Sequence, residues 1–212
     1  MLSPSTASSA AAASGVLYLH GFNSAGASPK ARLIKAACAE LGLPCETPDL
    51  SSQAADALRL AESLLPRLGP SPMLMGSSMG GFLATVLAER HELPAVLVNP
   101  AVRPARLVDT MLGESFVNAY TGERFVVGQS HRDQIAEMTP EVVTPGRYLL
   151  LLVTEDETLD SADAFAAYRG AKAILHPGGE HGFNALADYL PAVFAHGGHA
   201  LAPGRVAPVP AE

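Results

Sequence analysis

The chain has 212 residues, 48% hydrophobic and 17% charged, which is enough to bury one well-sized core without a metal or disulfide staple. Its 14 Lys and Arg against 21 Asp and Glu leave a net charge of −7 and no basic stripe, so nucleic acid is not expected as a partner. The longest apolar run, residues 148–153, falls well short of the roughly 18 residues that cross a bilayer, and no membrane insertion is expected.

Residues 1–14 are rich in Ser and Ala, with no Lys or Arg before Lys30, and read as a disordered leader rather than a signal peptide. One folded domain is expected over 15–197. Within it, short apolar runs at 16–19, 45–47, 73–75, 95–98, 148–153 and 173–175 alternate with amphipathic segments of helix length. That alternation predicts an α/β fold: six parallel strands in spatial order 2-1-3-4-5-6 with helices on both faces. The first helix should start at Ser28 as N-cap with Pro29 at its first position, bury Leu33, Ile34, Ala37, Cys38 and Leu41, and stop at Gly42. Cys38 and Cys45 lack the spacing of a metal site or a disulfide framework. They read as reduced, half-buried thiols, which points to a cytoplasmic location. A second helix over 53–68 should end or kink early at Pro66, and a third should follow Ser78. About 45 residues then separate the fourth and fifth strands, where a dozen would connect them. A short cap insertion over 101–139 accounts for the excess, with a helix after Pro104, a turn region from Asn118 and a helix near 132–138. Such a cap would lie over the face where open α/β sheets bind ligands. Residues 198–212, rich in Pro, Ala and Gly, read as a disordered tail.

Chemistry concentrates at the strand ends. Gly76-Ser-Ser-Met-Gly80 lies between a strand and an amphipathic helix, a setting that holds the central Ser78 in a tight turn at a helix N-terminus and makes it the candidate nucleophile. A serine hydroxyl needs a base and an orienting acid. His181, in the flexible Pro177-Gly-Gly-Glu-His-Gly loop, is preferred over His176, which is still at the strand end. Asp156 is preferred as the acid for its position and short side chain, with Glu157 and Asp160 as alternatives, Asp160 being equally suited to capping a helix. The oxyanion donors should be the amides of Met79 and Phe22, the latter in His20-Gly-Phe-Asn-Ser24. His20, Gly21 and Asn23 are expected beside the substrate, with His20 hydrogen-bonded within its loop rather than acting as a second base. His196 and His199 form only a weak metal signal and read as solvated surface residues. No cofactor or metal is implied.

The chain order Ser78, Asp156, His181 is that of α/β-hydrolases. With Leu17-Tyr-Leu-His-Gly-Phe-Asn-Ser24, Gly76-Ser-Ser-Met-Gly-Gly81, Val98-Asn-Pro-Ala-Val-Arg-Pro104, Tyr120-Thr-Gly122 and the segment from Thr154 to Asp160, the sequence resembles the YqiA-like esterase family from about Val16 to Phe194. The resemblance implies a minimal α/β-hydrolase lacking the first two strands of larger relatives. It also implies a Ser78, Asp156, His181 triad acting on small acyl esters, including acyl-CoA thioesters. The chain departs from the family in having Glu155 where Gly typically precedes the acid, an added carboxylate able to compete for the base's hydrogen bond. Arg103 is expected either to meet substrate or to pair with an acidic neighbour at the core rim. Arg106, Arg124 and Arg132 of the cap should either meet an anionic acyl carrier or hold the cap through salt bridges. The rival from another class is a catalytically idle hydrolase scaffold that binds a small ligand or a protein partner. Peptidase, lactonase and perhydrolase chemistry are rivals within enzymes. The sequence carries no signal of oligomeric state.

Overall fold

Strands buried on both faces read as short, nearly continuous apolar runs, and such runs form the centre of this molecule. The computed structural model describes residues 11–208. In chain order they form β1 (Val16–Leu19), α1 (Pro29–Glu40), β2 (Cys45–Glu46), α2 (Ala54–Leu64), β3 (Met73–Ser77), α3 (Met79–His91) and β4 (Ala95–Val98). After these come α4 (Ala105–Thr110), β5 (Ser115–Val117), β6 (Arg124–Val126), α5 (Gln129–Met138), β7 (Tyr148–Val153), α6 (Ser161–Ala167), β8 (Lys172–His176) and α7 (Leu186–His196). The main sheet is six-stranded and parallel in the order β2-β1-β3-β4-β7-β8, the expected topology. Alternation along each strand splits the core in two. Leu17, Leu19, Leu74, Leu97 and Leu150 pack in the layer that holds Leu58, Leu83 and Leu87 of α2 and α3. Val16, Tyr18, Met75, Val96 and Leu151 pack with Ile34 of α1 and Phe194 of α7.

Local signals set the helix ends. Ser28 Oγ accepts from the Ala31 amide at the start of α1, and Gly42 takes the positive φ that follows its end. α2 stops at Leu64 and gives way to a 3-10 turn, Leu65–Leu68, containing Pro66.

The crossover from β4 to β7 forms the cap. Its two helices lie where expected, α5 starting earlier, at Gln129. Between them β5 and β6 form an antiparallel hairpin pairing Phe116 with Phe125, an element that the sequence reading shows only as a turn. Several hydrogen bonds tie the cap to the body, among them Gln53 Nε2 to His131 Nε2 at 2.9 Å. Asn118 Nδ2 donates to Ser24 O at 2.7 Å, Ser52 Oγ donates to Glu123 at 2.8 Å, and Gln134 Oε1 accepts from the Ala55 amide at 3.1 Å.

The chain ends need correction in their described parts. The Ala13 amide donates to Gly197 O at 2.8 Å, Ser14 Oγ to Leu68 O at 2.7 Å and His199 Nε2 to Ala13 O at 2.7 Å, while Leu201 is buried. Ala13 thus bonds to groups near the other end of the chain, which composition read one end at a time does not reveal. The rest of the expected leader and tail, residues 1–10 and 209–212, lies outside the described residues. His196 likewise is not a solvated histidine: its Nε2 donates to Arg147 O at 2.9 Å, and burial lowers its pKa. Cys38 and Cys45 are free thiols, the first buried. Among the described residues no helix is long and apolar enough to cross a membrane.

At the sheet end opposite the cap, Glu89 of α3 accepts from the amide and hydroxyl of Thr144, from Arg147 and from the hydroxyl of buried Tyr148. Burial pushes its carboxyl up, but Thr144, Tyr148 and Arg147 together hold it below the usual carboxylate range. Glu89→Gln should therefore cost about 2 kcal/mol at neutral pH, read as a lower urea midpoint. A depressed folded-state pKa stabilises above the ordinary value of 4.5, and that contribution is lost as the pH falls through the folded value. The gap between wild type and Glu89→Gln should narrow on acidification below that ordinary value.

Candidate active site

The turn from β3 into α3 places Ser78 at φ 55 and ψ −120, a conformation that costs a non-glycine residue roughly 1–3 kcal/mol and persists only where neighbours over-determine it. They do so here. The Ser78 amide donates to Val98 O at 3.0 Å, and Ser78 O accepts from the amides of Gly81 at 2.9 Å and Ala101 at 3.0 Å. The glycines on either side allow the approach. A Cβ on Gly76 would lie 2.2 Å from Gly80 O, and one on Gly80 would lie 2.0 Å from Leu19 O. Ser78 is partly exposed, and its Oγ has no hydrogen-bond partner among the described residues.

His181 sits in the loop between β8 and α7. Its Nδ1 lies 2.8 Å from Asp156 Oδ2 and 3.0 Å from Oδ1. A carboxylate only accepts, so Nδ1 carries the proton that it donates. Asp156 follows β7, its side chain is 3% exposed, and its Oδ1 also accepts from the Thr158 and Leu159 amides, both at 2.8 Å. The other carboxylates do different work. Glu157 accepts from the His181 amide at 2.9 Å, which more than anything else holds its carboxyl below the usual range. Asp160 caps α6 through the Ala162 amide, while Glu155 is exposed, with no side-chain hydrogen bond among the described residues. His176 is occupied by the Tyr189 hydroxyl at 2.9 Å.

Two further residues hold the His181 loop, and the sequence reading assigns neither of them a role. Asn99 Nδ2 donates to His181 O at 3.1 Å, and Lys30 Nζ donates to Gly182 O at 2.6 Å, with burial lowering the Lys30 pKa. The available signal for Asn99 is its place in the Asn-Pro-Ala run directly after an apolar strand.

The loop after β1 closes the other side. A Cβ on Gly21 would lie 3.2 Å from Ser78 Cβ, so this backbone runs against the serine. The Phe22 and Met79 amides have no protein acceptor among the described residues. His20 is buried, which lowers its pKa. Its Nε2 accepts from the Leu50 amide at 2.9 Å, so its Nδ1–H donates to Gly21 O at 2.9 Å. Both nitrogens are thus spent on backbone, as the loop role expects. His20, Gly21, Phe22, Asn23 and Met79 line one side of a cavity of about 60 Å³, and cap residues such as Met111, Phe125 and Ile135 line the other. The Phe22 ring stands edge-on to Phe116 at 5.0 Å and to Phe125 at 5.7 Å. Arg103 is not brought to this cavity. It is exposed in a separate groove with Arg106, Leu159 and Asp160. Arg132 pairs with Asp109 and Asp133, whereas Arg103, Arg106 and Arg124 form no ion pair among the described residues.

A parallel sheet with a serine turn after β3, an acid loop after β7 and a histidine loop after β8 has the architecture of the α/β-hydrolases. Solved structures share the fold. A protein from Agrobacterium vitis S4 aligns with a TM-score of 0.71 at 18% identity, over 86% of this chain and 87% of that one. Mouse alpha/beta hydrolase domain-containing protein 10 aligns with a TM-score of 0.64 at 18% identity, over 85% and 86%. Est1E from Butyrivibrio proteoclasticus, solved with ferulic acid bound, gives 0.64 at 17% identity, over 86% and 85%. Residues 15–197 match the model of UPF0227, described as an uncharacterised protein family. The chain belongs to that family, the YqiA-like group that its motifs resemble.

The contact at residue 80 yields a direct test. Gly80→Ala puts a methyl group into the Leu19 carbonyl, so α3 cannot seat on the sheet. The variant should lose several degrees in Tm by calorimetry, or fail to accumulate as folded protein.

Proposed function

We propose that this protein is a serine hydrolase that cleaves acyl esters, thioesters included, through an acyl-enzyme. The observation that carries the reading is the His181–Asp156 contact of 2.8 Å, formed at the same carboxyl end of the strands as a strained serine whose hydroxyl is unpaired among the described residues. Ser78 Oγ attacks the carbonyl carbon while His181 Nε2 takes its proton, and the carbonyl electron pair moves onto oxygen. The resulting oxyanion faces the Phe22 and Met79 amides, each worth about 2.7–4 kcal/mol in such a role. Collapse breaks the bond to the alcohol or thiol, which leaves with the proton from His181. Water, deprotonated by the same nitrogen, then releases the acid and restores Ser78. Asp156 stays ionised throughout, orienting the ring and stabilising the imidazolium. Apo hydrogen bonds of this kind commonly tighten only when substrate arrives, so the unpaired Oγ is consistent with the role.

The mostly apolar cavity beside the two amides suits the part of the substrate next to the carbonyl. Est1E, with the same fold, binds ferulic acid, a carboxylic acid and hence the class of product that ester cleavage releases. Arg103, open to solvent in its own groove, is available to a distal anionic group of the substrate rather than to its reacting end.

Hydrolysis of p-nitrophenyl butyrate by wild type and Ser78→Ala, purified side by side, tests the nucleophile. The variant should lose at least about a thousandfold in kcat, together with labelling by a fluorophosphonate; equal rates in the two proteins would overturn the reading. Labelling and turnover absent from wild type would favour the idle scaffold.

The acid and base have their own readouts. Asp156→Asn should lose about a hundredfold or more, and Glu157→Gln, which keeps an acceptor for the His181 amide, far less. His181→Ala should lose about a thousandfold or more in kcat, and a variant with wild-type kcat would remove His181 as base.

A further inference from the structure

The residue after β4 joins all three candidate catalytic segments. Asn99 is buried, at 3% exposure, and has φ 40, a left-handed conformation that Asn tolerates better than most side chains. Its amide donates to Leu151 O at 2.9 Å, extending the pairing of β4 with β7. Its side chain then uses both ends. Oδ1 accepts from the Val153 amide at 3.1 Å, three residues before Asp156, and Nδ2 donates to His181 O at 3.1 Å. On either side of it, Val98 O and the Ala101 amide hold the Ser78 peptide. Residues 98–101 are therefore the joint against which serine, acid strand and histidine are all set.

We infer that Asn99 is a positioning residue for the proposed reaction: its carboxamide fixes the His181 backbone relative to Ser78 by bridging it to the end of β7. The inference rests on His181 being the base. The loop needs such a brace because Gly178 and Gly179 both have positive φ and Gly182 adds further freedom, so the ring's tie to Asp156 alone leaves its distance to Ser78 free to vary. Of the three groups bonded to peptide atoms of 181 and 182, Glu157 is exposed and Lys30 half-buried. Asn99 alone of the three is buried and anchored in the sheet.

The experiment compares Asn99→Asp, Asn99→Gly, Glu89→Gln and His181→Ala with wild type on p-nitrophenyl butyrate, with rates expressed per fluorophosphonate-titrated site, and for His181→Ala per mole of folded protein. Asn99→Asp is isosteric and keeps the acceptor for Val153 but not the donor to His181; Asn99→Gly keeps the backbone conformation and removes the side chain. Both should lose about 30- to 100-fold in kcat per site, with KM changed less than about threefold. Glu89→Gln, destabilised at the far end of the sheet, should keep kcat within about twofold. Either Asn99 variant retaining wild-type kcat per titrated site would overturn the inference. So would failure of both to fold, which would make Asn99 a determinant of the fold instead. If His181→Ala remained active, the assignment of the base would fall first. An inactive His181→Ala beside fully active Asn99 variants would sink the positioning role alone.

Discussion

The close approach of α3 to β1 is the constraint on which the rest of the site depends. Without side chains at 76 and 80, the helix backbone lies directly against the Leu19 and His20 carbonyls. That single approach brings the first amide of α3, the serine before it and the His20-Gly21-Phe22 backbone into one place. The strain at Ser78 follows from it. The chain has to reverse between a strand and a helix that are nearly in contact, and the Val98 carbonyl and Ala101 amide leave no relaxed alternative.

The cap is built onto the same loop. Phe22 is held by Phe116 and Phe125 of the hairpin, and Asn118 bonds Ser24 O two residues further on. The backbone carrying the proposed oxyanion donor is thus shared between the sheet, through His20 and Leu50, and the cap, through aromatic contacts. Displacement of the hairpin would therefore be felt at the Phe22 amide. Burial lowers the His20 pKa, and the ring accepts from the Leu50 amide at one nitrogen while the other donates to Gly21 O. The cap's role is accordingly twofold: it walls the cavity and steadies a backbone segment that otherwise contains a glycine and, at Asn23, a positive φ.

Much of this was legible in the sequence, for identifiable reasons. The strands stood out because runs such as 148–153 are buried on both faces and carry no polar positions to obscure them. Pro29, Gly42 and Pro66 marked helix limits through backbone geometry alone. The hairpin did not stand out. Each of its strands has three residues with only the middle one turned inward, too little for a period-two signal. The packed chain ends were hidden because His199 takes its side-chain partner, Ala13 O, from the opposite end of the chain. At the candidate site, Ser78, His181 and Asp156 could be proposed from type and order, while which of four neighbouring carboxylates meets the His181 ring is visible only in the geometry. Asn99 could be quoted but not explained, because its partners are a peptide carbonyl and a peptide amide, which leave no trace in side-chain identity.

That contrast reflects two different ways of fixing a reactive group. The serine side is held by exclusion. Small residues, a crowded turn and backbone bonds define one conformation, so the pattern is written in spacing. The histidine side is held by attraction. A glycine-bearing loop has conformational freedom to lose, and Glu157, Asn99 and Lys30 each remove part of it by bonding a peptide group next to the ring. The placement of such a loop depends on residues distant in sequence that no spacing rule connects.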